Sequence, residues 1–182
     1  MTQSLLKSML EITEKAKRLK LLILDVDGVL TDGKLFFDYQ GNEYKSFHAR
    51  DGHGIKLLRQ TGVEVAVISG RNSPSVALRM QNLGIEHVYQ GHENKLAAFN
   101  ELLEKVGVTA DEAAHVGDDL LDLPLMSRVG LAVAVADANF AVMQRAHWCT
   151  VLPGGQGAVR EVCDLIMQAQ GTFDSVLQTY LK

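Results

Sequence analysis

The sequence predicts an α/β fold, a parallel sheet covered by helices on both faces with a β-hairpin flap beside it. Three observations predict it. Short apolar runs alternate with longer stretches of helical periodicity, as parallel strands joined by crossover helices require. The run Leu21-Leu22-Ile23-Leu24 is apolar on both alternating faces, as a central strand covered on both sides must be. That run ends in two carboxylates one residue apart, Asp25 and Asp27, followed by Gly28 and Thr31. Ligands of open α/β sheets gather at the carboxyl ends of strands, so these acids stand where chemistry is expected. Burying them without a cation or many donors would be costly, which points to a divalent metal and a phosphate.

Each element follows in order. Leu5, Leu6, Met9, Leu10, Ile12, Ala16 and Leu19 recur at helical spacing and predict a helix over about 4–19, before a strand over 21–27. Residues 34–47 alternate in character around Gln40-Gly41-Asn42, a turn signal, and predict the hairpin. A helix over 51–60 leads to a second strand, 63–68, that ends in Ser69-Gly70-Arg71. Residues 73–83 form a helix with Pro74 in its first turn and Gly84 as its stop. A short third strand, 87–89, precedes a helix over 94–106 closed by Gly107. The fourth strand, 113–116, ends in Gly117-Asp118-Asp119; 131–135 and 148–152 are the fifth and a short sixth. Helices over 158–168 and 173–181 close the chain, completing a Rossmann-like arrangement.

The 182 residues suit one domain spanning 1–182, with no repeat or linker to divide it. A net charge of −4 argues against nucleic acid and anionic membrane as partners. No apolar run approaches the ~20 residues of a membrane span, and residues 1–20 lack the apolar centre of a signal peptide. Cys149 and Cys163 are too few for a disulfide framework and read as reduced core thiols, so a cytoplasmic setting is expected.

Four strand ends carry suggestive chemistry. The first brings Asp25 and Asp27, the second Ser69, the connection after the third Lys95, and the fourth Asp118, Asp119 and Asp122. Alone, Asp118 could cap a helix, Ser69 could be a turn residue and Lys95 a solvated charge. In a parallel sheet all lie on one rim, and acids for a hard cation, a hydroxyl and a lysine would meet. Lys95 at a helix N-terminus also opposes the macrodipole, which implies a demand from elsewhere.

Asp25-Val26-Asp27-Gly28-Val29-Leu30-Thr31, Ser69, Lys95 and Gly117-Asp118-Asp119 with Asp122 resemble the four motifs of the haloacid dehalogenase superfamily of aspartate-nucleophile phosphatases. The resemblance covers about residues 20–170. It implies that Asp25 attacks phosphorus, that Asp27 protonates the leaving oxygen and later activates water, and that Ser69 and Lys95 hold the phosphoryl oxygens. It implies Mg²⁺ held by Asp25, the Asp27 main-chain carbonyl and Asp118, with Asp119 and Asp122 behind as supports.

The superfamily's usual cap domain has little room here: only the hairpin and a loop separate Asp27 from the helix near Ile55, and one helix and one short strand separate Ser69 from Lys95. A capless enzyme must shield its aspartyl-phosphate otherwise, most simply with a neighbouring subunit; the hairpin, apolar at Leu35, Phe36, Phe37, Tyr39 and Phe47, either packs on its own domain or is an oligomerisation element, and a homotetramer is expected. Resemblance over Asp25–Gly33, Phe47–Ile55, Ile68–Arg71, Tyr89–Gly91, Gly117–Asp122 and Gly154–Glu161 implies the 8-phosphate of 3-deoxy-D-manno-octulosonate as substrate, in lipopolysaccharide biosynthesis. The alternative is a nine-carbon sialic-type sugar acid 9-phosphate. Arg71 is placed for the sugar carboxylate. Resemblance adds His48, Ala49, Arg50, Asp51, Gly52, Lys56 and Arg79, though Lys56 and Arg79 also fit exposed helix charges. His53 is a substrate donor or a loop histidine, and His115 a core residue. Pro153-Gly154-Gly155-Gln156-Gly157 lacks the lysine of a P-loop and reads as a flexible segment; the tail, 171–182, is a candidate visitor to an active site. A signalling receiver domain combines similar groups on a parallel sheet, but its phosphoacceptor aspartate should end the third strand, where Tyr89-Gln90-Gly91 stands.

Overall fold

The all-apolar run near the N-terminus is the middle of a sheet. The computed structural model describes residues 3–92 and 94–182, with side chains from residue 9, so the apolar positions expected at Leu5 and Leu6 lie outside the described side chains. In chain order the elements are α1 (Gln3–Ala16), β1 (Leu21–Leu24), β2 (Phe36–Phe37), β3 (Glu43–Tyr44), α2 (Ala49–Gln60), β4 (Glu64–Ile68), α3 (Pro74–Leu83) and β5 (His87–Tyr89). There follow α4 (Lys95–Val106), β6 (Ala113–Gly117), α5 (Leu123–Met126), β7 (Leu131–Ala134), α6 (Phe140–Met143), β8 (Trp148–Cys149), α7 (Ala158–Ala169) and α8 (Phe173–Gln178).

Six strands form a parallel sheet in the order β5-β4-β1-β6-β7-β8, and β2 pairs antiparallel with β3 as the hairpin. Right-handed crossovers put α2 and α3, made as the chain steps out to β5, on one face of the sheet. They put α4 and α5, made on the return past β1, on the other. The connections diverge at β1, which makes its carboxyl end a topological switch point, the usual crevice for a ligand. Every residue of β1 is buried, as are Val65, Ala66, Val67 and Ile68 of β4 and all of β6. Among the described residues no helix is long and apolar enough to cross a membrane.

Several expected boundaries move. β1 ends at Leu24, not at residue 27; the Asp25 amide still donates to Val116 O (3.1 Å), but the chain then turns. In that turn Val26 O accepts from the amides of Val29, Leu30 and Thr31, and the Thr31 hydroxyl accepts from the Gly33 amide at 3.3 Å. The hairpin is reduced to two paired residues a side, and α1 stops at Ala16. The short helices α5 and α6 were not expected.

The glycine-rich segment is not a loose connection. Gly154 packs so closely behind the first-motif loop that a Cβ there would stand 1.6 Å from Gly28 O. The Gly155 amide donates to Val29 O at 2.9 Å, and the Gly154 amide to Asp137 Oδ1 at 2.9 Å. The absence of side chains, read from sequence as flexibility, serves close approach.

Candidate active site

Register brings the strand ends level. Leu24 pairs with Val67 on one side and Val116 on the other, so Asp25, Ser69 and Asp118 emerge beside one another. They line a cleft of about 240 Å³ together with Asp27, Arg71, Lys95, Leu121 and Asp122. Ser69 is buried at the end of β4, where its hydroxyl accepts from the Arg71 amide at 3.3 Å.

Lys95, the first residue of α4, is 2 % exposed. Its ammonium lies 2.8 Å from Asp25 Oδ1 and 2.7 Å from Asp122 Oδ1, which offsets both its burial and its unfavourable end of the helix dipole. Asp122 is saturated: Oδ1 accepts from Lys95 and His115, and Oδ2 from the Asp118 and Asp119 amides at 2.9 and 3.3 Å. An ionised carboxylate only accepts, so the fully buried His115 donates from Nε2, at 2.9 Å. With its lone pairs engaged, Asp122 anchors Lys95 and the turn bearing Asp118. Asp119 is exposed, and its carboxylate caps the next turn through the Leu120 amide at 2.8 Å.

The carboxyls are strongly perturbed. Burial, and then the charge of Asp122, pushes Asp25 up to about 6 despite Lys95. Burial, and then Asp25, pushes Asp118 up to about 8. Burial also opposes ionisation of Asp122, yet its bonds and charge contacts with His115 and Lys95 outweigh this and hold it well below the usual range. Burial disfavours the Lys95 charge too, but Asp25 and Asp122 overcome it and raise the ammonium's pKa.

These residues suit a hard cation. Asp25, Asp118 and Asp122 bring carboxylate oxygens within 4.8 Å of one another. Asp118 Oδ1 is buried without a hydrogen-bond partner. Gly28, at φ +91°, makes the approach possible, since a Cβ there would lie 2.1 Å from Asp118 Oδ2. An unpartnered buried carboxylate oxygen beside a second carboxylate is costly, and oxygen-preferring Mg²⁺ relieves it. Asp25 and Asp118 are the carboxylates available to hold it.

The expected substrate residues divide. Arg71 lines the cleft with Asp27, its Nε 3.8 Å from Asp27 Oδ2. His48, Ala49, Arg50, Asp51, Gly52, Lys56 and Arg79 do not line it. Asp51 is buried, accepts from the Arg160 amide at 2.8 Å and lies 3.9 Å from His48 Nδ1. Arg50 faces a different cleft with Arg160 and Glu161, and Lys56 a groove with Arg59 and Gln81. Arg79 lies over the Phe47 ring, 5.7 Å from its centroid, and crowds the Cβ position of Gly52. His53 packs edge-on to Tyr180 of the tail (5.8 Å), outside the acidic cleft, and α8 lies against α7 of its own chain. Sequence reasoning missed Lys45, whose buried ammonium contacts Asp27, and the bond from His115 to Asp122. The hairpin's short spacing from the first motif was the available signal for Lys45.

Comparison with known proteins agrees with this geometry. A family model for haloacid dehalogenase-like hydrolases matches residues 78–159. The chain is 51% identical over 164 residues to the 3-deoxy-D-manno-octulosonate 8-phosphate phosphatase KdsC of Escherichia coli (strain K12), covering 90% of this chain and 87% of that one. The crystal structure of the Yersinia pestis phosphatase of the same name superposes with a TM-score of 0.89 at 46% identity, covering 90% and 89% of the two chains. That of the Moraxella catarrhalis enzyme, in complex with magnesium ion, phosphate ion and KDO, superposes with a TM-score of 0.91 at 40% identity, covering 93% and 98%. Such likeness over nearly the whole chain excludes a receiver domain, and the protein belongs to the 3-deoxy-D-manno-octulosonate 8-phosphate phosphatases of the haloacid dehalogenase-like hydrolases.

Proposed function

We propose that this chain, as one phosphatase domain over residues 1–182, hydrolyses 3-deoxy-D-manno-octulosonate 8-phosphate to the free sugar acid and phosphate with Mg²⁺. The observation that carries the reading is the buried Lys95 ammonium shared by Asp25 and Asp122 beside the unpartnered Asp118, at the switch point of the sheet. Bound Mg²⁺ supplies positive charge between nucleophile and phosphate, two anions that otherwise repel. Asp25 attacks phosphorus in line and carries the aspartyl-phosphate. Asp27 gives its proton to the departing sugar oxygen and afterwards takes one from the hydrolytic water. Ser69 and Lys95 donate to the equatorial oxygens where charge accumulates. Asp122 keeps Lys95 and the Asp118 turn in place, and Arg71 pairs with the sugar carboxylate.

A cleft of about 240 Å³ is smaller than the ~300–1,000 Å³ of sites that enclose a whole ligand. It takes the phosphate and cation and leaves most of an eight-carbon sugar acid outside. A homotetramer completes the enclosure: Phe36 and Phe37 on the hairpin are 51% and 58% exposed, an apolar patch that asks for a partner. In this reading the accessible His48, Arg50 and Lys56 serve a neighbouring subunit's cleft, while the buried Asp51 and Gly52, packed against Arg160 and Arg79, hold that loop in shape. The unpaired Cys149 and Cys163 suit a cytoplasmic setting.

Phosphate release from the eight-carbon 8-phosphate and the nine-carbon 9-phosphate, each with and without Mg²⁺, tests the assignment. Mg²⁺-dependent turnover favouring the eight-carbon substrate is expected; faster hydrolysis of the nine-carbon ester overturns the choice. Sedimentation as a monomer would overturn the shared enclosure.

A further inference from the structure

Lys45 follows β3 on the hairpin, and its side chain is 1% exposed although it carries a charge. It bonds Asp27 Oδ1 and lies 2.9 Å from Glu43 Oε1. Glu43 in turn pairs with Arg71, whose Nε lies 3.8 Å from Asp27 Oδ2. Two acids and two bases thus close a ring between the hairpin, the first-motif loop and the end of β4. Burying a lysine in such a ring costs solvation and side-chain entropy, and a stable hairpin alone does not require it.

We propose that Lys45 is a positioning residue for the general acid: it binds Asp27 Oδ1, fixes the carboxyl's rotation, and leaves Oδ2 directed to the leaving oxygen. The inference rests on the phosphatase reading above. Among the described residues Asp27 Oδ2 accepts no hydrogen bond, Arg71 Nε facing it only from 3.8 Å, so it is the oxygen left to carry the transferable proton. In the first half-reaction an Asp25 oxygen forms the new bond to phosphorus as the bond to the sugar oxygen breaks, and the Asp27 Oδ2 proton passes to that oxygen. A carboxyl free to rotate about its Cβ–Cγ bond would present the wrong oxygen, or none, at that moment. The hairpin is therefore an orienting arm for the acid as well as an apolar surface.

The test varies the leaving group. A sugar alkoxide departs only with a proton, whereas p-nitrophenolate departs without one, and kcat/KM reports the steps through aspartyl-phosphate formation. Lys45→Met should lower kcat/KM on the sugar acid phosphate by about 100-fold, the lower range of a general acid's contribution, and on p-nitrophenyl phosphate by less than about 3-fold. Lys45→Arg, which restores a cationic donor, should recover most of the loss. Lys45→Gln, an uncharged donor, should show the same dependence on leaving group and replaces the Met variant if that one does not fold. An equal fall on both esters, a rise in KM without a fall in kcat, or unchanged kinetics would overturn the proposal. If the parent protein hydrolyses neither ester, the phosphatase reading fails instead.

Discussion

Raising the pH from 6 to 8 is expected to strengthen Mg²⁺ binding by about two orders of magnitude. Metal-free, Asp118 titrates at about 8 because burial and then the Asp25 charge oppose its ionisation, and Asp25 at about 6. The cation binds ionised carboxylates, so below these values it must displace protons. For Asp118 alone each pH unit below 8 costs a factor of ten, so pH 6 costs about 100-fold, or ~2.7 kcal/mol. Both folded values lie above the ordinary 3.8, so the metal-free folded chain holds these protons more tightly than the unfolded chain. Its stability therefore falls as pH climbs from about 4 to 8, and Mg²⁺ restores most at the upper end. At 100 times its Kd, Mg²⁺ contributes about 2.7 kcal/mol. For a chain of this length that raises the melting temperature by roughly 5–10 °C. Calorimetric titration in two buffers of different ionisation enthalpy gives Kd and protons released together. About one proton should be released at pH 7 and almost none at pH 9. Equal affinity at pH 6 and 8 without proton release would refute the placement of Asp118 at the cation.

Asp25→Asn should abolish Mg²⁺-dependent phosphate release and leave the circular dichroism spectrum unchanged; full activity would refute the covalent route. Lys95→Met strands the Asp25 carboxylate, while Asp122 keeps His115 and two amides, and should cost about 3–5 kcal/mol, a fall of roughly 6–20 °C in melting temperature. That loss should shrink toward pH 5 as a stranded carboxylate takes up a proton, which a thermal scan across pH reads directly. Gly154→Ala pushes a methyl group into Gly28 O and should weaken Mg²⁺ binding at least tenfold; an unchanged Kd would show that the loop yields freely.

The sheet and the heart of the site were legible because they obey local rules. A doubly apolar run ending in Asp25 and Asp27 announces a central parallel strand, and strand ends of one parallel sheet must share a rim. Other features depend on how connections fold back over the strand ends, which no local periodicity reports. Lys45 lies in an exposed hairpin where a solvated charge is the ordinary expectation, and only tertiary packing brings it to Asp27. His115 was recognisable as core from its strand, but not its bond to Asp122, which comes from the next connection. α5 and α6, at four residues each, are too short to display helical period. The glycines of 154–157 misled because small residues signal both mobility and close contact, and composition alone does not separate the two.

The central place of β1 also bears on how the polypeptide is made. Leu21–Leu24 leaves the ribosome early, yet its partner β6 is synthesised roughly 90 residues later, about 5–20 s at typical elongation rates. Through that interval a four-residue aliphatic segment lacks one of its hydrogen-bonding neighbours, a state prone to association with other nascent chains. Expression of this enzyme should therefore respond to chaperone supply and translation speed more than the stability of the finished fold suggests.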